Sequence, residues 1–333
     1  MKRKTKLIKR IFLLLIALTL IAYVLLCNFL VSACLVPSFM KKLDAFEEVT
    51  VKSYGEQVKT SAISENHHKL IADTNEWILR VREDESYIRR EVYTDDGYKL
   101  VGVEFLPEDI ASHKCVLVLH GYTGWKEEMF PYAKHYVDMG YHAIVPDMRC
   151  SGESEGDYIG MGYTDCYDCL KWLDIINASD PEAEIVIHGQ SMGASTALMM
   201  SGLDSLPANV TAIVSDAAYT DAYSMFGDKI TDWFSLPPFP LVDGACLMLR
   251  LRGGYNLKDA APIEAVKKSS TPILFIHGDK DAMIPVSMCY DLYEAAASEK
   301  EISIITGAGH AQAIDKNPDE FWLTIDKFIS SHQ

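Results

Sequence analysis

The sequence predicts an α/β fold: a mostly parallel sheet with helices on both faces, a small helical cap, and one apolar helix ahead of it. Three observations carry the prediction. An uncharged stretch runs from Ile11 to Val36; a hairpin pattern follows at Ile88–Tyr93 and Lys99–Phe105; and from Cys115 onward six short apolar runs alternate with helical stretches. With 333 residues, 49% hydrophobic and 23% charged, the chain has ample material for a large core, which excludes a disordered or collagen-like protein.

The first ten residues hold six cations, Lys2, Arg3, Lys4, Lys6, Lys9 and Arg10, and no acid. Behind this basic flank the 26 residues Ile11–Val36 contain only Thr19, Asn28 and Ser32 as conspicuously polar members. As a helix they reach about 39 Å, enough to cross a hydrocarbon core of about 30 Å. A cleavable signal has a shorter apolar region, so residues 11–36 are expected to be a transmembrane helix. Val31-Ser32-Ala33-Cys34 resembles a lipobox, which leaves lipoprotein anchoring at Cys34 as the minor alternative. The positive-inside rule then keeps residues 1–10 cytoplasmic and the rest extracytoplasmic, in a single-pass cell-membrane protein.

Six of the 31 basic residues lie in that flank, so the other 25 face 47 acidic residues, a balance of −22 against −16 for the whole chain. So acidic a body repels phosphate backbones, and nucleic acid is excluded as a partner. The same charge predicts repulsion from anionic lipid, an acidic body standing off the bilayer on a stalk, and small molecules reaching it from solution. Residues 37–86 supply that stalk and a lead-in helix near Glu65–Val81, where Leu70, Trp77 and Val81 recur at near-helical spacing.

The main folded domain is expected over 87–333. Its hairpin turns at Asp95-Asp96-Gly97, and its buried strands begin at Cys115, Tyr141, Glu184, Val210, Pro272 and Glu301. Continuous apolar runs between helices mean strands covered on both faces, with ligands beyond their carboxyl ends. More than fifty residues separate the Val210 and Pro272 runs. Their middle, about 221–261, is rich in aromatic residues and proline and is expected to form the cap. Of eight cysteines, Cys166 and Cys169 sit at i, i+3 with no second ligand pair, so free thiols and no metal site are expected.

Gly189-Gln190-Ser191-Met192-Gly193 follows one strand directly and opens a helix, the context in which G-x-S-x-G becomes a nucleophile elbow. A serine needs a base, and the base an orienting acid. The next two strand ends supply His277-Gly278-Asp279-Lys280-Asp281 and then Gly307-Ala308-Gly309-His310, so His310 is the base and Asp279 or Asp281 the acid. His277 precedes the acid loop and is assigned local hydrogen bonds; His332 lies at the terminus. Backbone N–H groups of Met192 and of Tyr122, in His120-Gly121-Tyr122-Thr123-Gly124, are the expected oxyanion donors. Trp125, Phe226, Trp233 and Phe234 are the expected pocket residues.

Together, His120-Gly121, Gly189–Gly193, Asp281 and Gly309-His310 resemble the α/β-hydrolase superfamily over about residues 88–331. The resemblance is nearest to bacterial membrane-tethered or secreted serine hydrolases of the Bem46-like and prolyl-oligopeptidase-like kind. Pro146-Asp147-Met148-Arg149-Cys150-Ser151-Gly152-Glu153-Ser154 resembles that branch's loop, with Cys150 where glycine is usual. The resemblance selects Asp281 over Asp279, because the acid precedes an apolar-Pro step, here Ala282-Met283-Ile284-Pro285. Asp147, Arg149, Glu153 and Asp168 receive no catalytic role. The implied reaction is cofactor-free cleavage of a small-molecule carboxylic ester through an acyl-enzyme, with peptidase or acyltransferase action as the alternative. A serine nucleophile argues against dehalogenase and epoxide hydrolase chemistry. A non-catalytic membrane-anchored scaffold is the remaining class, and a missing triad residue would have favoured it.

Overall fold

A computed structural model describes residues 2–41 and 65–333. Strands β1 (Tyr87–Tyr93) and β2 (Lys99–Phe105) form the hairpin; β3 (Lys114–Leu119), β4 (His142–Pro146), β5 (Glu184–Gln190), β6 (Val210–Asp216), β7 (Ile273–Gly278) and β8 (Lys300–Ile305) follow. They make one sheet in the order β1-β2-β4-β3-β5-β6-β7-β8. The β1–β2 and β2–β4 pairs are antiparallel and all others parallel.

The apolar runs are explained by burial on both faces. In β3, Cys115, Leu117 and Leu119 enter one core, with Trp172, Leu173 and Leu198, while Val116 and Val118 enter the other, with Phe130, Tyr136 and Phe321. The first layer contains α4 (Tyr163–Ser179), α5 (Met192–Ser201), α8 (Pro262–Val266) and α9 (Val286–Ala295). The second contains α2 (Glu65–Glu83), α3 (Phe130–Asp138), α10 (Ala313–Lys316) and α11 (Pro318–Ser330).

The expected lead-in helix is α2, and it is part of the packed body. Trp77 and Val81 are buried, and the Trp77 ring lies 4.6 Å from that of Phe105. Asn66 Nδ2 donates to the Asp315 carbonyl at 3.0 Å, fixing the start of α2 to α10. The remaining stalk positions, 42–64, lie outside the described residues.

Helix α1 (Lys2–Leu35) is long and apolar enough to cross a membrane over Lys4–Leu35. Its apolar side chains from Leu7 to Leu26 are largely exposed, but Cys27, Val31 and Leu35 are buried. Their partners are the cap, made of α6 (Ala222–Phe234), α7 (Pro238–Gly253) and a short 3-10 turn at Leu257–Asp259. Gly244 of α7 sits against Tyr23 and Cys27 so closely that a Cβ would collide with both. Arg252 donates to the Asn28 carbonyl at 3.0 Å, Asn28 Oδ1 at 2.8 Å and Ser32 Oγ at 2.9 Å. Tyr23 donates to the Pro240 carbonyl at 2.6 Å, and Ile159 N–H to the Leu35 carbonyl at 2.9 Å.

This packing ties the cap directly to the carboxyl-terminal part of α1. Net charge acts over a Debye length of about 8 Å, whereas the distance here is set by apolar contact and hydrogen bonds between α1 and α7.

Candidate active site

Strand β5 ends and α5 begins across Ser191, which adopts φ 55° and ψ −115°. A non-glycine residue in this region is strained, and the surroundings enforce the strain. Ser191 N–H donates to the Asp216 carbonyl at 2.7 Å, holding the turn to the end of β6. Both flanking glycines are needed for space. A Cβ on Gly189 would strike the Gly193 backbone, and one on Gly193 would strike the Leu119 carbonyl at the end of β3. Ser191 is thereby presented at the carboxyl ends of the strands.

Ser191 Oγ lies 2.9 Å from His310 Nε2, and His310 Nδ1 lies 2.8 Å from Asp281 Oδ2. With Nδ1–H donating to the carboxylate, Nε2 is left to accept the serine proton. Asp281 Oδ1 accepts from Met283 N–H and Ile284 N–H, each at 2.8 Å. Burial would raise the Asp281 pKa, but hydrogen bonds from His277 and His310 outweigh it and hold the carboxyl well below its usual range. The rival acid is engaged elsewhere: Asp279 accepts from Gly307 N–H and lies beside Lys280.

Gly121 passes directly beside the serine, where a Cβ would be 3.3 Å from Ser191 Cβ. His120 holds this loop. Its Nε2 accepts from Met148 N–H at 2.9 Å, so Nδ1–H donates to the Gly121 carbonyl at 2.8 Å. Burial lowers the His120 pKa and keeps the ring neutral, as the accepting nitrogen requires. Met192 follows Ser191 as the first residue of α5, and Tyr122 follows the Gly121 that abuts the serine, so both expected donors lie on segments beside it. The Tyr122 hydroxyl donates to the Cys34 carbonyl at the end of α1. Such an arrangement can supply a nucleophile, a base and an oriented acid at one edge of the sheet.

A model of the prolyl oligopeptidase family matches residues 128–332. The chain belongs to the prolyl oligopeptidase family. It is thus a serine hydrolase of the α/β-hydrolase superfamily, as its sheet order and helical layers already indicate. This prolyl oligopeptidase family chain is 28% identical over 236 residues to the uncharacterized protein YqkD of Bacillus subtilis, covering 71% of this chain and 76% of YqkD. It is 27% identical over 202 residues to the lysophosphatidylserine lipase ABHD12 of Macaca fascicularis, covering 56% of this chain and 46% of the lipase. The chain therefore spans about half the length of that relative. Among solved structures, the Pyrococcus furiosus esterase Pf2001 has the same fold, with a TM-score of 0.60, 22% identity, and coverage of 74% and 91% of the two chains.

Within this family member, the expected pocket residues separate. Trp125 lines an open groove with Pro37, Met40 and Cys150, whereas Phe226 lines a cavity between α1 and the cap. The side chains of Trp233 and Phe234 lie outside the described residues. Asp147 accepts from Lys126 Nζ at 2.7 Å and from the backbone of Lys126 and Glu153. Arg149 bridges Asp168 and Asp96. These groups brace the loop behind the Gly121 turn. All eight cysteines are unbridged.

One contact and one residue near the relay are not foreseen from the sequence. His277 does make the local bond assigned to it, Nε2 to the Ile284 carbonyl at 2.9 Å, but it also lies 3.2 Å from Asp281 Oδ2. Burial opposes charge on its ring, yet the Asp281 carboxylate prevails and raises its pKa to about 10. Asp216 is buried with both carboxyl oxygens unpartnered among the described residues, and burial pushes its pKa up to about 7. Its signal was available as an acid ending the strand next to the nucleophile.

Proposed function

We propose that the protein is a membrane-tethered hydrolase of carboxylic esters, acting through Ser191, His310 and Asp281. The observation that carries this reading is the unbroken relay of 2.9 Å and 2.8 Å hydrogen bonds from Ser191 Oγ to His310 to Asp281. Ser191 Oγ attacks the ester carbonyl as His310 Nε2 takes its proton. The oxyanion accepts from the Met192 and Tyr122 amides, and Asp281 stabilises the imidazolium. His310 returns the proton to the leaving alcohol; water, deprotonated by the same ring, then releases the acid and restores Ser191.

Esters are favoured over peptides because the cap facing this edge is apolar, and a lipase and an esterase stand among the similar proteins. Peptide cleavage is the second reading, supported by the family match. Helix α1 is the tether, with residues 1–10 cytoplasmic and the catalytic domain, 87–333 with its cap at about 221–261, outside.

A fluorophosphonate probe tests the chemistry. Labelling of the folded protein should vanish in Ser191→Ala and fall sharply in His310→Ala; absence of labelling in folded wild type would reject a serine hydrolase. Matched aryl esters and amides separate the two substrate classes. Turnover of amides alone would replace esterase with peptidase.

A further inference from the structure

His277 lies near the end of β7 with a fully buried side chain, and the Asp281 side chain is equally enclosed. Four N–H groups converge on the Asp281 carboxylate. Oδ1 accepts from the Met283 and Ile284 amides at 2.8 Å, whereas Oδ2 lies 2.8 Å from His310 Nδ1 and 3.2 Å from His277 Nε2. An ionised carboxylate offers about four acceptor sites, so this one is fully engaged.

His277 Nε2 also lies 2.9 Å from the Ile284 carbonyl. Neither that oxygen nor an ionised carboxylate can donate, so Nε2 carries hydrogen whether or not the ring is charged. Charge is decided by the groups that face the ring: Asp281 from the acid loop, Cys289 from α9 and Asp216 from the end of β6. Cys289 is a thiol, and burial delays ionisation of Asp216 to about pH 7, so in mild acid Asp281 is the carboxylate that acts on the ring. It favours an imidazolium, which is the cause of the raised His277 pKa.

His310 differs in kind. Its side chain is 26% exposed, and it must be neutral to take the proton of Ser191. Because both rings meet Oδ2, their nearest nitrogens are at most about 6 Å apart, the two distances laid end to end. Two like charges at that separation displace each other's titration by about 0.5 pH unit in water-like surroundings and by about 2 at an effective dielectric constant of about 20.

We propose that His277 is a positioning residue of the relay: as a fixed imidazolium it orients the Asp281 carboxylate and, by opposing a second charge on His310, extends the reaction toward acid pH. The proposal deepens the ester reading and rests on Ser191, His310 and Asp281 as its relay.

The pH profile of full-length protein in detergent tests this. His277→Gln keeps an N–H toward Asp281 but carries no charge. For a soluble butyryl ester, the acid-side midpoint of kcat/KM should move up by at least about 0.5 pH unit in this variant, with the plateau changed less than about five-fold. A folded variant whose midpoint stays in place or moves down would overturn the proposal and leave the esterase standing. Folded wild type inactive on every ester and amide would instead reject the hydrolase reading, and the proposal with it. A second measurement needs no variant: in wild type labelled with nitrogen-15 histidine, one ring should keep both nitrogens protonated from about pH 5 to about pH 8. Loss of a ring proton by every histidine within that range would overturn the proposal.

Discussion

The strand-end edge and the cap face of this molecule are held together by different forces. At the edge, Ser191, His310 and Asp281 hang from backbone: a turn pinned to Asp216, glycines with no room for a Cβ, and a carboxylate fixed by two amides. On the cap face, α1 meets α7 through side-chain packing and the hydrogen bonds of Tyr23 and Arg252, with large apolar residues exposed around the contact. The edge has the stiffness that acyl transfer demands, since misplacement by about 1 Å can cost about a hundred-fold in rate. The two regions meet at two hydrogen bonds, from the Tyr122 hydroxyl to the Cys34 carbonyl and from Lys229 to the Ala282 carbonyl.

The largest difference between the regions should appear in turnover. Ser191→Ala and His310→Ala are each expected to lower kcat/KM for a chromogenic butyrate by about 10⁵–10⁶, and Asp281→Ala by about 10⁴. Next, Gly193→Ala forces a methyl into the Leu119 carbonyl, and thermal or urea unfolding should show a loss of about 3 kcal/mol.

Asp216 tests the cost of the buried edge. Burial pushes its pKa up to about 7 from the 3.8 of an ordinary aspartate, so between these the native state binds more protons than the unfolded chain. Its contribution to stability therefore declines as pH rises from about 4 to about 7, and levels off above. Asp216→Asn cannot titrate, so unfolding measured at pH 4 and pH 8 should show the variant gaining on wild type by roughly 1–4 kcal/mol at the higher pH. An equal difference at both pH values would mean that the carboxyl is ionised throughout.

The smallest expected effect belongs to the cap face. Gly244→Leu pushes α1 from α7 without touching the relay. Thermal unfolding in detergent should show a loss of about 1–3 kcal/mol, with fluorophosphonate labelling changed less than about two-fold. A fall in labelling as large as that of His310→Ala would show that the two regions are one mechanical unit.

The same contrast explains what was legible in the sequence. The strands are local apolar runs, and Ser191, Asp281 and His310 each follow one, so topology delivers them to a common edge without long-range information. Asp281 was separable from Asp279 only through resemblance; geometry now sets Asp281 against His310 and Asp279 against Gly307. The docking of α1 was invisible because Cys27, Val31 and Leu35 read as ordinary membrane residues, and nothing local marks Gly244 as their partner. Net charge averages over the surface and does not reveal that the cap exposes Phe239, Leu247 and Leu251. His277 was read as a local residue, and its second contact with Asp281 depends on a loop conformation that spacing alone does not fix.

The account stands on Ser191 forming an acyl-enzyme, and trapping tests this most directly. Folded full-length protein is acid-quenched during turnover of a slowly deacylating aryl ester, digested and mass-mapped. One acyl group on the peptide containing Gly189–Gly193, located at Ser191 and absent from Ser191→Ala, is the predicted result. Turnover with no adduct, or an adduct at another residue that survives in Ser191→Ala, would contradict it.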